Sequence, residues 1–392
     1  MNYRSDSKYI HGRQASSYHG SLSVPIFQTS TFSFPEGEEG ARRFAGETDG
    51  YIYSRLGNPT VQALEDRIAA VEGGEKGLAF ASGMAAISAV LTALTKTGDH
   101  ILCTNGIYGC TYGLLQLMEE KYQITSSFCE MRTAEQLRLM IQPNTSCLFI
   151  ETPINPTMRI IDLEMVVKVA KEQGIPVVVD NTFSSPYLQQ PLMLGCDIVV
   201  HSATKYLCGH GDVVGGLAVG KEEFMKNLAA TVQKDIGGIM APFDAWLLLR
   251  GMKTLPVRME RHSENAEKIM KKLKEHPAVN AVYYPGDENH PERKIIQKQM
   301  KSGGGVISFS IKGDIRAVMG FINQLKLIRI AVSLGDAETL IQHPATMTHS
   351  LIPKLERDKM GIDESLIRLS IGLENWEDIW EDLLQALHIL DA

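Results

Sequence analysis

The feature that most restricts this 392-residue chain is a series of short apolar runs between residues 59 and 220, separated by helical patterns. His100 to Cys103, Ile124 to Cys129, Cys147 to Ile150, Pro176 to Val179 and Asp197 to Val200 are each dense in Val, Ile, Leu or Phe. They lack the polar alternation of half-exposed strands, which is how strands covered on both faces read. Strands alternating with helices predict an α/β fold, a mostly parallel sheet with crossover helices. Residues 1–58 mix Gly, Ser, Pro and aromatics without a sustained period, so they read as an arm that covers its own domain or reaches a neighbouring subunit. At Asn58-Pro59-Thr60 the pattern changes: Asn58 or Thr60 can cap a helix carrying Val61, Leu64, Ile68 and Val71, which ends near Gly73-Gly74. After Pro256 the chain becomes richer in Lys and Glu, with an amphipathic helix around Arg261 to Lys274, a strand-like Gly304 to Ile311 and a last helix from about Trp376. The expected division is the arm over 1–58, a large α/β domain over 59–256 and a smaller C-terminal α+β domain over 257–392.

Composition removes several function classes. Lys and Arg total 39 against 46 Asp and Glu, a formal charge of -7, whereas binding to a phosphate backbone depends on clustered cations. No nucleic-acid partner is expected. No apolar stretch approaches the roughly 18 to 20 residues a spanning helix needs, and the start MNYRSDSKYIHGRQ lacks the apolar centre of a signal peptide. The expected location is cytoplasmic, with no membrane partner. Cys103, Cys110, Cys129, Cys147, Cys196 and Cys208 are scattered without a paired CxxC spacing, so they read as reduced thiols. Cys208 and His210 alone are too few ligands for a metal, and none is expected.

Ligands of parallel sheets bind beyond the carboxyl ends of the strands, so the residues following each apolar run are the place to look for chemistry. Glu151-Thr152-Pro153-Ile154-Asn155 follows one run, Asp180-Asn181-Thr182 the next, and His201-Ser202-Ala203-Thr204-Lys205 the last. A lysine held there and partly desolvated loses preference for its charged form, and its amine can then condense with a carbonyl; the plain alternative is a solvated lysine leaving a strand. A carboxylate at Asp180 is costly to bury unless it meets a cation or donors. A protonated ring nitrogen about 4 Å away would attract it by roughly 4 kcal/mol at an effective dielectric near 20. The alternative there is a turn or cap aspartate. Ser82, with the amides of Gly83 and Met84, opens a helix and would face an anion, although a serine-capped helix is common in itself. The glycine run Gly209 to Gly216 has the wrong spacing for a dinucleotide fingerprint, which counts against a nicotinamide-dependent oxidoreductase.

Taken together, Ser202-Ala203-Thr204-Lys205-Tyr206 with Gly209-His210-Gly211-Asp212, Asp180-Asn181-Thr182, Tyr53-Ser54-Arg55 with Asn58-Pro59-Thr60, and Arg368-Leu369-Ser370-Ile371-Gly372 resemble the Cys/Met-metabolism family of pyridoxal-phosphate enzymes. The resemblance spans almost the whole chain. It implies the fold-type I transferase architecture and a homotetramer of two active dimers, with pyridoxal 5'-phosphate as cofactor. It makes Lys205 the cofactor lysine and Asp180 the partner of the pyridine nitrogen. Ser82, Gly83, Met84, Ser202 and Thr204 become phosphate ligands, and Tyr53 and Arg55 reach the phosphate of the neighbouring subunit. Tyr108 becomes the ring-stacking residue that also moves protons, needing nearby cations to lower its pKa if it is to act first as a base. Arg368 grips the substrate carboxylate, a role suited to its planar fork, with Asn155 and Ser333 in support. Cys110, two residues beyond Tyr108, is similar to the family members that split L-methionine by α,γ-elimination into methanethiol, 2-oxobutanoate and ammonia; otherwise it is a small packing residue. Gln233-Lys234-Asp235, Asp336-Ala337-Glu338-Thr339-Leu340 and His343-Pro344-Ala345 agree with that subgroup. The implied partner is a small sulfur amino acid, with homocysteine and related S-substituted substrates also expected. Cystathionine γ-lyases, cystathionine γ-synthases and O-acetylhomoserine sulfhydrylases share the early chemistry and remain the alternatives within the family.

Overall fold

A computed structural model describes residues 3–12, 18–350 and 353–388. Seven strands form the first sheet: β1 (Lys76–Phe80), β2 (His100–Thr104), β3 (Thr125–Cys129), β4 (Thr145–Glu151), β5 (Val177–Asp180), β6 (Ile198–Ser202) and β7 (Gly216–Gly220), in the order β1-β7-β6-β5-β4-β2-β3. From β6 to β3 every pairing is parallel, while β7 runs antiparallel between β1 and β6. The missing polar alternation has a direct cause. Ile101, Phe149 and Val178 pack into one apolar layer with Ile87 and Leu91, while Leu102, Leu148, Val177 and Val179 pack into a second with Val166 and Ala170. Successive residues of a strand point to opposite faces, and here both faces are covered.

The second sheet contains β8 (Val279–Tyr283), β9 (Val306–Ile311), β10 (Arg329–Ile330), β11 (Leu340–Gln342) and β12 (Leu366–Ser370), ordered β10-β11-β12-β9-β8. It is antiparallel except where β10 meets β11. The 21-residue helix Leu255–Glu275 joins the two halves: Leu255 and Met259 enter the core of the first, and Ala266, Ile269, Met270 and Leu273 enter the core of the second. A stripe at three- and four-residue spacing thus serves two cores with one rigid element.

The arm holds more regular structure than its sequence predicts. Ser5–His11 and Gly37–Phe44 are helices. Helices of seven and eight residues are too short to show a period. The first is fixed by one fully buried side chain, Tyr9, which meets Tyr187 edge-on at 6.4 Å. The second is laced by Glu39 with Arg42 and Arg43 at 2.8 Å each. The cap of helix Pro59–Glu72 is Asn58, whose side chain accepts from the Thr60 amide at 3.0 Å. Thr60 instead ties the arm down, donating to the Pro25 carbonyl at 2.7 Å and accepting from the Phe27 amide at 2.9 Å.

Among the described residues, no helix is long and apolar enough to cross a membrane and no group of His, Cys, Asp or Glu is placed to hold a metal. All six cysteines are free thiols, and only Cys110 is exposed.

Candidate active site

The carboxyl ends of β4, β5 and β6, the start of helix Gly83–Leu94, Arg368 of the second sheet and the loop residues Val332, Ser333 and Leu334 enclose a cavity of about 200 Å³. Of the residues singled out in the sequence, Ser82, Gly83, Met84, Tyr108, Asn155, Asp180, Ser202, Thr204, Lys205, Ser333 and Arg368 line it. Tyr53, Arg55 and Cys110 do not. Tyr53 is 43% exposed. The Arg55 guanidinium lies 5.7 Å from the Tyr53 ring and donates to the Lys234 carbonyl.

Lys205 enters the cavity one turn past β6, and its Nζ donates to Ser333 Oγ at 3.0 Å. Burial, reinforced by the Arg368 charge, lowers its pKa from 10.5 to about 8. Asp180 closes β5 and is 9% exposed. Burial raises its pKa; donors on Thr182 and the charge of His201 pull the other way. Thr182 gives its amide to Asp180 Oδ1 at 3.0 Å, and its Oγ1 accepts from the Ser202 amide at 2.8 Å, so it pins the ends of β5 and β6 together.

One wall is built to take an anion. Ser82 Oγ accepts from the Ala85 amide at 3.0 Å and so caps the helix Gly83–Leu94, leaving its O–H as a donor. That cap leaves the Gly83 and Met84 amides at the positive end of a 12-residue helix, where no intrahelical carbonyl can reach them. The Ser202 and Thr204 side chains stand on the same wall of the cavity. The wall exists because two residues have no side chain. A Cβ on Gly83 would fall 2.8 Å from Ser202 Cβ, and one on Gly216 would fall closer than 3.0 Å to the backbone of Ser82 and Gly83.

The opposite side carries the guanidinium. Arg368, on β12 and 3% exposed, donates from Nη1 to Asn155 Oδ1 at 3.0 Å and from Nη2 to the Ser333 carbonyl at 2.7 Å. Its Nε is buried without a protein partner. Burial lowers its pKa to about 10 against the pull of Tyr206, Tyr108 and Glu151. Tyr108 precedes helix Gly109–Tyr122. Burial, its hydrogen bond to Cys110 and the Glu151 charge raise the phenol to about 12, and Arg368 does not offset them. The chain therefore keeps Tyr108 protonated. The condition for Tyr108 to act first as a base, a pKa lowered by nearby cations, is therefore not met within this chain.

Among the lining residues that escaped the sequence reading as site members are Glu151, Thr182, Phe183 and Thr348. Glu151 carried a usable signal, an acid directly after an apolar run, as Asp180 does. Phe183, whose ring lies 6.0 Å from the Arg368 guanidinium, and Thr348 come from irregular segments whose distance in sequence hides their proximity.

A nucleophilic, partly neutral lysine, a buried acid that needs a cationic partner, an amide cradle and a buried guanidinium define the site of a fold-type I pyridoxal-phosphate enzyme. The description "Cys/Met metabolism PLP-dependent enzyme" matches residues 6–388, and the chain belongs to that family. It is 49% identical over 380 residues to L-methionine γ-lyase of Fusobacterium nucleatum subsp. nucleatum, covering 96% of each chain. It is 47% identical over 368 residues to cystathionine γ-lyase of Bacillus subtilis, covering 94% of each. The crystal structure of cystathionine γ-lyase from Lactobacillus plantarum complexed with L-serine superposes with a TM-score of 0.93 at 41% identity, covering 100% of both chains.

Proposed function

We propose that this chain catalyses the α,γ-elimination of L-methionine to methanethiol, 2-oxobutanoate and ammonia, and acts on homocysteine and related S-substituted amino acids. The observation that carries this reading is Tyr108 at the cavity: a phenol whose pKa is raised to about 12, so that it stays protonated near neutrality, with the Cys110 thiol beside it just outside the cavity lining. The 49% identity to a protein named L-methionine γ-lyase supports it.

Pyridoxal phosphate, when bound, supplies an electron sink at the substrate Cα. In this reading Lys205 carries the cofactor and, once its amine is free, holds or moves the Cα proton; a pKa of about 8 suits a base working near neutrality. Asp180 supplies the negative charge for the pyridine nitrogen. The Gly83 and Met84 amides with Ser202 and Thr204 hold the phosphate. Arg368, already oriented by Asn155 and Ser333, takes the substrate carboxylate with its fork. Tyr108 delivers its proton to the departing sulfur. Tyr53 and Arg55, standing outside the chain's own cavity, serve the phosphate end of a neighbouring copy within a homotetramer of two active dimers.

Incubation with L-methionine alone tests this. Methanethiol and 2-oxobutanoate released in equal amounts are the expected result. Cleavage of cystathionine with no cleavage of methionine would move the assignment to cystathionine γ-lyase, the name borne by the Bacillus subtilis relative at 47% identity.

A further inference from the structure

Glu151 has no role in that scheme, yet it lies at the centre of the hydrogen bonds that hold the scheme's parts. It ends β4, is buried and lines the cavity. Its Oε2 accepts from the Tyr108 amide at 2.8 Å and its Oε1 from the Asn155 amide at 3.3 Å. Asn155 in turn orients Arg368. One carboxylate thus fixes both the residue bearing the phenol and the residue that aims the guanidinium.

The choice of an acid here is expensive. In the register of the sheet Glu151 pairs with Asp180 on the adjacent parallel strand, which puts two carboxyls side by side facing one cavity. Burial and Asp180 push the Glu151 pKa up to about 8, against the two amides and Arg368. A glutamine would avoid the repulsion, but it offers one acceptor oxygen and turns an amino group toward the second backbone donor. A glutamate carboxyl has an oxygen for each amide, and it meets both. We propose, building on the elimination reading above, that Glu151 is a positioning residue that couples the placement of the Tyr108 phenol to that of the Arg368 guanidinium, so that proton delivery and carboxylate binding share one support.

Two variants of the holoenzyme, Glu151→Gln and Glu151→Asp, test this. The first keeps the shape and loses one acceptor; the second keeps the acid and shortens its reach by one methylene. Both are expected to retain cofactor colour while kcat for methionine falls on the order of tenfold or more, as small misplacements of reacting groups do. Both should also weaken binding of L-norleucine, a methionine analogue with no sulfur to expel, by about fivefold or more, read by spectral titration. Turnover and norleucine affinity within about twofold of wild type in both variants would overturn the assignment. Full recovery by Glu151→Asp alone would also overturn it, since charge without reach would then suffice. Should the wild type leave methionine intact, the elimination reading fails on its own, and norleucine affinity still decides whether Glu151 positions Arg368.

Discussion

At the scale of the residue, the site depends on what burial does to titrating groups. Lys205 and Asp180 lie in the same cavity, and desolvation moves each toward its neutral form. For Lys205 the direction has a measurable sign. Its neutral amine is the nucleophile, and with a folded pKa of about 8 it reaches half its maximum there instead of near 10.5. Labelling of the cofactor-free chain with an amine-reactive reagent, followed on the Lys205 peptide, should rise through pH 8 and flatten above about 9. A rate still climbing steadily at pH 10 would show an ordinary solvated lysine. Lys205, Asp180 and Arg368 were legible in the sequence because each stands in a short motif. Glu151 was less legible, although the same physical signal marks it: a carboxylate at the end of an apolar strand must find donors, and here it finds two backbone amides.

At the scale of the element, legibility followed burial. The runs of β2, β4, β5 and β6 were found because both faces are apolar, while the edge strand β3, Thr-Ser-Ser-Phe-Cys, was marked only by Ile124, Phe128 and Cys129 around its polar residues. Strand β7, Gly-Leu-Ala-Val-Gly, was missed: its end glycines read as turn residues, and its antiparallel direction breaks the strand-helix alternation. Strand β12 was missed as a strand because Arg368 and Ser370 interrupt its apolar residues, although Arg368 lines the cavity and Ser370 accepts from the Gly335 amide at 2.9 Å. The glycine of β7 that faces the cradle gives a prediction at this scale. Gly216→Ala would drive a methyl into the backbone of Ser82 and Gly83, and neither strand nor helix end can yield as a flexible side chain would. The substitution is expected to destabilise the fold by about 1–3 kcal/mol and to weaken cofactor retention, measured by urea unfolding and by dialysis of the coloured enzyme. Unchanged stability and retention would mean that the helix start is not held against β7.

At the scale of the whole molecule, the site exists only because distant segments converge. Its amide-lined wall comes from the turn after β1 and from the end of β6, its acid from β5, and its guanidinium from β12 of the second sheet. The helix Leu255–Glu275, packed into both cores, keeps the sheet that carries Lys205 in register with the sheet that carries Arg368. None of that convergence can be read from periodicity, which is local; it became visible beforehand only through motifs resembling a known family. Tyr53 and Arg55 stand outside their own cavity. The claim on which all of this rests is that the cofactor is joined to Lys205. Borohydride reduction of the coloured enzyme, followed by digestion and mass mapping, tests it most directly. The pyridoxyl mass should appear on the peptide containing Lys205 and on no other. Its appearance on a different lysine, or complete loss of the cofactor on denaturation after reduction, would contradict the account.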